Sequence, residues 1–224
     1  METERSPAGT RYDGVLFDLL SALLDSWSLW NAVAGSPERG LRWRREYLRL
    51  TYETGAYRPY ESLVAEAARG AGLPARLADE LLAHWGELAP WPEAPGVLAE
   101  LGRSGLLLGV VTNCSESLGA RAAARLGVEF QVLVTAERAG RYKPDPRPYR
   151  LGLAELGTVP ERTLFVAGSA WDVPGATGVG MPVVWHNRIA LPPAPGGVQP
   201  RATFETLTPL IDELLGPAGD PRGA

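Results

Sequence analysis

The chain has 224 residues, 45% hydrophobic and 21% charged, with a formal net charge of −4. That balance describes a globular domain large enough for one core plus a sizeable insertion, and it provides no basic surface for nucleic acid. No segment approaches the roughly 20 apolar residues that span a bilayer, and the single cysteine, Cys114, excludes an intrachain disulfide and fits a reducing cytoplasm. With only His84 and His186, a His/Cys metal site is not expected.

Residues 1–11 are polar and read as a disordered tail, as do the Gly/Pro-rich residues 216–224. Short apolar runs at 14–17, 106–111, 131–134, 163–166 and 182–185 read as buried strands. Helical patterns at 95–103, 117–126, 146–156 and 173–178 separate most of them. Strands alternating with helices predict an α/β fold with a doubly wound parallel sheet covered on both faces. Between 26 and 93 the pattern is helical instead, around 26–33, 41–54, 61–69 and 75–85, with turn signals at 35–37 and 70–74. This stretch reads as an α-helical cap inserted after the first strand, leaving 12–25 and 94–215 as the core.

Ligands of such sheets bind beyond the carboxyl ends of the strands, and polar groups stand at several of those ends. Asp18 follows Val15-Leu16-Phe17 and is followed by Leu20-Ser21-Ala22, with no second acid. A buried carboxylate needs a charged partner, and Lys143, in the rigid Lys143-Pro144-Asp145-Pro146 turn, can supply it. Asp172 would open a helix and face back toward the site, orienting Lys143 or a water. Thr112 and Asn113, before a helix start, suit an anion. Helix capping is the structural alternative for Asp18, Asn113, Ser115 and Asp172, and packing is the alternative for Trp171. Cys114 has no histidine placed to activate it and reads as a small core residue.

In order and placement these motifs resemble the haloacid dehalogenase superfamily over about residues 12–215, and within it the L-2-haloacid dehalogenases. The resemblance rests on the single acid Asp18, the Ala170-Trp171-Asp172 triplet, Lys143-Pro144-Asp145 with Tyr149 six residues beyond the lysine, and Trp43-Arg44. It implies a Rossmann-like core under a helical cap, often as a homodimer, in a cytoplasmic hydrolase of a small carboxylate. Asp18 would displace halide from a 2-haloalkanoic acid toward Arg44, forming an aspartyl ester. Thr112 and the backbone near Asn113 would hold the substrate carboxylate, with Leu20, Tyr149 and Trp171 completing the binding set. Lys143 would keep Asp18 charged. Water, placed with help from Asp172 and with Ser169 nearby, would then cleave the ester. Neither metal nor other cofactor is implied. By chemistry alone Arg45 is as good a halide acceptor as Arg44; the Trp43-Arg44 pair selects the latter.

The chain also departs from that pattern. Leu20, Ser21 and Ala22 stand where the dehalogenases carry an aromatic, a glycine and a threonine, and Ala167 and Ser169 replace a serine and an asparagine. Ala22 cannot donate a hydroxyl to Asp18, and loss of one preorganised donor costs ~10²–10³ in rate, so Ser21, Ser169 or water would have to compensate. Two rival functions follow. A Mg²⁺-dependent phosphatase of the same superfamily needs acids where this chain has Leu20 and Gly168. A catalytically weak binding protein is suggested by Ala22 and Ala167 and opposed by the charged set Asp18, Arg44, Lys143 and Asp172.

Overall fold

The computed structural model describes residues 11–216, so the two expected tails lie outside the described residues apart from Arg11 and Gly216. Six strands, β1 (Gly14–Phe17), β2 (Leu107–Thr112), β3 (Val132–Thr135), β4 (Thr163–Ala167), β5 (Val183–His186) and β6 (Ala202–Phe204), form one parallel sheet in the order β3-β2-β1-β4-β5-β6. Side-chain alternation sorts β1 between two apolar layers: Val15 and Phe17 join one cluster and Leu16 the other. This is why the central strands read as unbroken apolar runs. β1 is flanked by β2 on one side and β4 on the other, so the strand order reverses there and a crevice opens above their carboxyl ends.

The cap comprises α1 (Ser26–Ala34), α2 (Pro37–Glu53), α3 (Tyr60–Gly70), α4 (Arg76–Ala83) and a 3₁₀ turn at His84–Glu87. Local signals set its boundaries. Asp25 caps α1, accepting from the Ser28 amide at 3.0 Å, and Gly35 ends the helix at φ 84°. Ser36 then caps α2, with Pro37 in its first turn. Gly40 on α2 lies against the Asn31 backbone of α1, where any β-carbon would collide, so the two helices approach closely. Trp43 fills the cap interior, its ring 4.7 Å from Trp30 and its indole N–H on the Val64 carbonyl at 2.9 Å.

Two crossing strands of chain join cap to core. Asp25 and Ala89 are hydrogen-bonded at 2.8 Å, and the Trp91 amide reaches the Leu23 carbonyl at 3.0 Å. Further bonds fasten the cap over the crevice, among them Trp85 Nε1 to the Leu118 carbonyl at 3.0 Å and the Tyr142 hydroxyl to the Arg58 carbonyl at 2.8 Å. The core helices are α5 (Ala94–Arg103), α6 (Glu116–Ala123), α7 (Ala136–Ala139), α8 (Pro146–Leu156), α9 (Asp172–Thr177) and α10 (Leu210–Leu215). The doubly wound sheet and helical cap expected from the sequence are present. β6 and α10 extend the fold beyond the elements expected from the sequence. No helix among the described residues is long and apolar enough to cross a membrane.

Candidate active site

Asp18 extends the ladder of β1 by one bond, its amide donating to the Val166 carbonyl at 2.9 Å. The chain then turns sharply, so that the next amides face back onto the Asp18 carboxylate. Oδ2 accepts three bonds: from the Ser21 amide at 3.0 Å, the Ser21 hydroxyl at 2.8 Å and the Ala22 amide at 3.1 Å. Oδ1 receives the Lys143 ammonium at 2.9 Å. The two amide bonds cap the single turn that follows Asp18, whereas α1 begins at Ser26 with Asp25 as its own cap.

Lys143, 3% exposed, stands between two carboxylates, reaching Asp172 Oδ1 at 3.1 Å and Oδ2 at 3.2 Å. Its backbone is clamped by Asn113, whose Oδ1 accepts from the Lys143 amide at 2.7 Å and whose Nδ2 donates to the Lys143 carbonyl at 3.0 Å. Asp172 opens α9 and also accepts the Tyr149 hydroxyl at 2.7 Å. Burial works to raise the pKa of Asp18, but the Lys143 charge and the hydrogen bonds from Lys143 and Ser21 outweigh it and hold the carboxyl below the ordinary value. For Asp172 burial wins, with the Asp18 charge adding to it, and the carboxyl is raised. Burial also opposes the charge on Lys143, yet its two acidic neighbours more than restore it.

Above this floor the cap contributes Arg44, 8% exposed, its guanidinium carbon 3.8 Å from the centre of the Trp27 ring. One terminal nitrogen donates to Ser26 Oγ at 2.7 Å, and that hydroxyl in turn bonds the Leu20 carbonyl. Among the described residues no carboxylate forms an ion pair with Arg44. Burial lowers its pKa, with Asp18 and Asp25 among the groups opposing this. Between floor and roof lies a cavity of about 60 Å³. Its walls include Leu20, Trp27, Leu48, Tyr52, Trp171 and Leu191.

The structure gathers Asp18, Leu20, Arg44, Asn113, Lys143, Ser169, Trp171 and Asp172 around this cavity. Three of the expected binding residues have protein partners that the sequence does not show. Thr112 is fully buried, with its hydroxyl 3.8 Å from Cys114 Sγ, so it faces the core. Asn113 lines the cavity with its side-chain amide bonded to the Lys143 backbone, and the Glu116 amide at the following helix start binds the Glu137 carboxylate at 2.7 Å. Tyr149 is fully buried behind Asp172 and bonds that carboxylate. Cys114 is buried and its thiol is pushed up to about 12, as expected of a core residue.

Sequence reasoning missed Tyr47, Leu48 and Tyr52. They share the Arg44 face of α2 at spacings of three, four and eight, a helical periodicity visible in the sequence. It also missed Leu191, which reaches the cavity from an irregular segment after β5 and carries no local signal.

Comparison with known proteins agrees with this construction. Residues 12–180 match the haloacid dehalogenase-like hydrolase family, and the chain belongs to it. It is 33% identical over 193 residues to an (S)-2-haloacid dehalogenase of Pseudomonas sp. (strain YL), covering 78% of this chain and 82% of that protein. Haloacetate dehalogenase H-2 of Moraxella sp. (strain B) is 31% identical over 198 residues, covering 80% and 87%. The crystal structure of an L-2-haloacid dehalogenase superposes with a TM-score of 0.82 at 26% identity, covering 92% of this chain and all of the other.

Proposed function

We propose that this hydrolase removes halide from a small 2-haloalkanoic acid, with Asp18 as nucleophile and an aspartyl ester as intermediate. The observation that carries the reading is the division of labour on the Asp18 carboxylate. Oδ2 is saturated by three donors, whereas Oδ1 accepts only Lys143 and keeps a lone pair for attack. Arg44, which pairs with no carboxylate among the described residues, lines the same cavity and receives the displaced halide. Asp172, charge-coupled to Lys143, orients the water that cleaves the ester. Trp27, Leu20 and Leu48 provide an apolar wall for the alkyl group. The names of the relatives point to the same substrate class.

A phosphatase reading fits this site poorly. Leu20 can donate no proton to a leaving alcohol. Gly168, where an acid would hold Mg²⁺, has no space for a side chain: a β-carbon there would lie 2.6 Å from Ser21 Oγ and closer still to the Ala22 amide. The Lys143 ammonium already lies between the two buried carboxylates.

The test is single-turnover hydrolysis of a 2-chloro acid in ¹⁸O-labelled water. Label should enter the Asp18 carboxylate, EDTA should leave the rate unchanged, and Asp18→Asn should release no halide. Phosphate esters turning over faster than haloacids, and only with Mg²⁺, would defeat the reading.

A further inference from the structure

We propose that Ser21 is a catalytic residue, completing a three-donor cradle that bears the negative charge when the aspartyl ester is cleaved; this rests on the function proposed above. In the first step Asp18 Oδ1 bonds C2 of the substrate and the carbon–halogen pair leaves as halide, so Oδ2 becomes the ester carbonyl oxygen. In the second step water adds to the Asp18 carboxyl carbon and the carbonyl π pair moves onto Oδ2. The tetrahedral species then collapses, breaking the bond to Oδ1. One water proton ends on the departing alkoxide, and the second is released to solvent as Asp18 becomes a carboxylate again. Charge therefore concentrates on Oδ2 during cleavage. Preorganised donors aimed at such an oxygen stabilise that step above the others.

The donors are in place: the Ser21 hydroxyl at 2.8 Å and the Ser21 and Ala22 amides at 3.0 and 3.1 Å. The hydroxyl comes from position 21, one residue before Ala22, so the alanine leaves no gap in the donor set. The Ser21 and Ala22 carbonyls of the turn are each held by a side chain from elsewhere in the chain. Trp91 Nε1 donates to the Ser21 carbonyl at 3.0 Å. His186 Nδ1 lies 2.8 Å from the Ala22 carbonyl, and because a carbonyl only accepts, Nδ1 must carry the proton. The two rings pack edge to face, their centres 6.0 Å apart. On the remaining side the Gly168 backbone closes against the turn, which is possible only without a side chain. Trp91 and His186 are thus positioning residues for a cradle whose donating groups belong to Ser21 and Ala22.

Rapid-quench kinetics on Ser21→Ala with a 2-chloro acid distinguishes the steps, following halide release for ester formation and intact-protein mass for the ester. Ester cleavage should slow by ~10²-fold, the size expected for one oxyanion donor, with a much smaller fall in halide release, so the adduct accumulates. Ser21→Thr, which keeps a hydroxyl, should clear the ester far faster than Ser21→Ala. Wild-type rates for both steps in Ser21→Ala, or equal losses in both, would overturn the role of Ser21 while leaving the function standing. If Ser21→Ala does not fold, Ser21→Gly removes the same hydroxyl and is judged by the same criterion. Wild-type enzyme that releases no halide from any 2-haloacid overturns the function and this role with it.

Discussion

The floor and the roof of the cavity handle charge in opposite ways. In the floor, Asp18, Lys143, Asp172 and Tyr149 form a closed set in which each polar group already has its partner at 2.7–3.2 Å. In the roof, Arg44 is buried with an aromatic ring and one serine hydroxyl for company. Burial penalises an unpaired charge heavily unless a partner arrives. The floor supplies its own counter-charges, whereas under the proposed function the roof takes its anion from the substrate. The two regions also differ in origin, since the floor gathers residues from segments beyond three strand ends, with Tyr149 on α8 and Asp172 at the start of α9, whereas Arg44 comes from one face of α2.

The contrast is broken most severely by removing Lys143. Lys143→Met leaves two buried carboxylates without their cation, and breaking a buried pair costs about 3–5 kcal/mol, readable by urea denaturation. Burial would then be opposed by the Ser21 hydrogen bonds without the Lys143 charge, and the Asp18 pKa should rise. A raised carboxyl ionises only at higher pH, so the acid limb of kcat/KM should move upward in any folded Lys143→Met protein. In the wild type the depressed Asp18 keeps its charge to lower pH, and its contribution to stability is lost only as pH falls through its folded value.

Arg44→Lys probes the roof alone. A point charge does not reproduce the planar fork stacked on Trp27, and loss of one such stabilising group lowers turnover by ~10²–10³. Stability should change little, because Arg44 has no carboxylate partner to strand. Unchanged halide release would return Arg44 to a packing role and make Arg45 the next arginine to substitute.

His186 gives a smaller effect on stability. Burial lowers its pKa below 6.5, with the Ala22 carbonyl and Glu93 opposing and Arg188 assisting. The unfolded chain then binds a proton that the folded chain resists, so stability should decline as pH falls below about 6.5. His186→Leu should flatten that slope in thermal melts across pH. The smallest change is expected at Thr112. Thr112→Val should leave kcat/KM near wild type and cost about 1 kcal/mol or less, because its hydroxyl meets only Cys114 in the core. A large loss of substrate affinity would restore Thr112 to the binding set.

Asp18, Lys143 and Asp172 were legible because each belongs to the segment leaving the carboxyl end of an apolar strand, where a parallel sheet opens its crevice: Asp18 follows β1 directly, Lys143 comes after β3 and α7, and Asp172 opens α9 after β4. Tyr47, Leu48 and Tyr52 were equally visible as a face of α2, but periodicity alone does not say which face of a cap helix meets the core. β6 escaped notice because it is a three-residue edge strand, paired on one side and only partly buried, and so lacks an apolar run.

By itself the sequence determined the alternating architecture, the inserted helical cap and the identity of the charged residues, since strand burial and helix capping are written in local patterns. It also showed that Ala22 has no hydroxyl to offer. Only the tertiary structure decided what each polar group bonds: Asn113 to the Lys143 backbone, Tyr149 to Asp172, and Ser21 to Asp18. The first two join segments 30 and 23 residues apart and are fixed by how the strands order, which no local spacing encodes; the third is local and depends on how sharply the chain turns after β1.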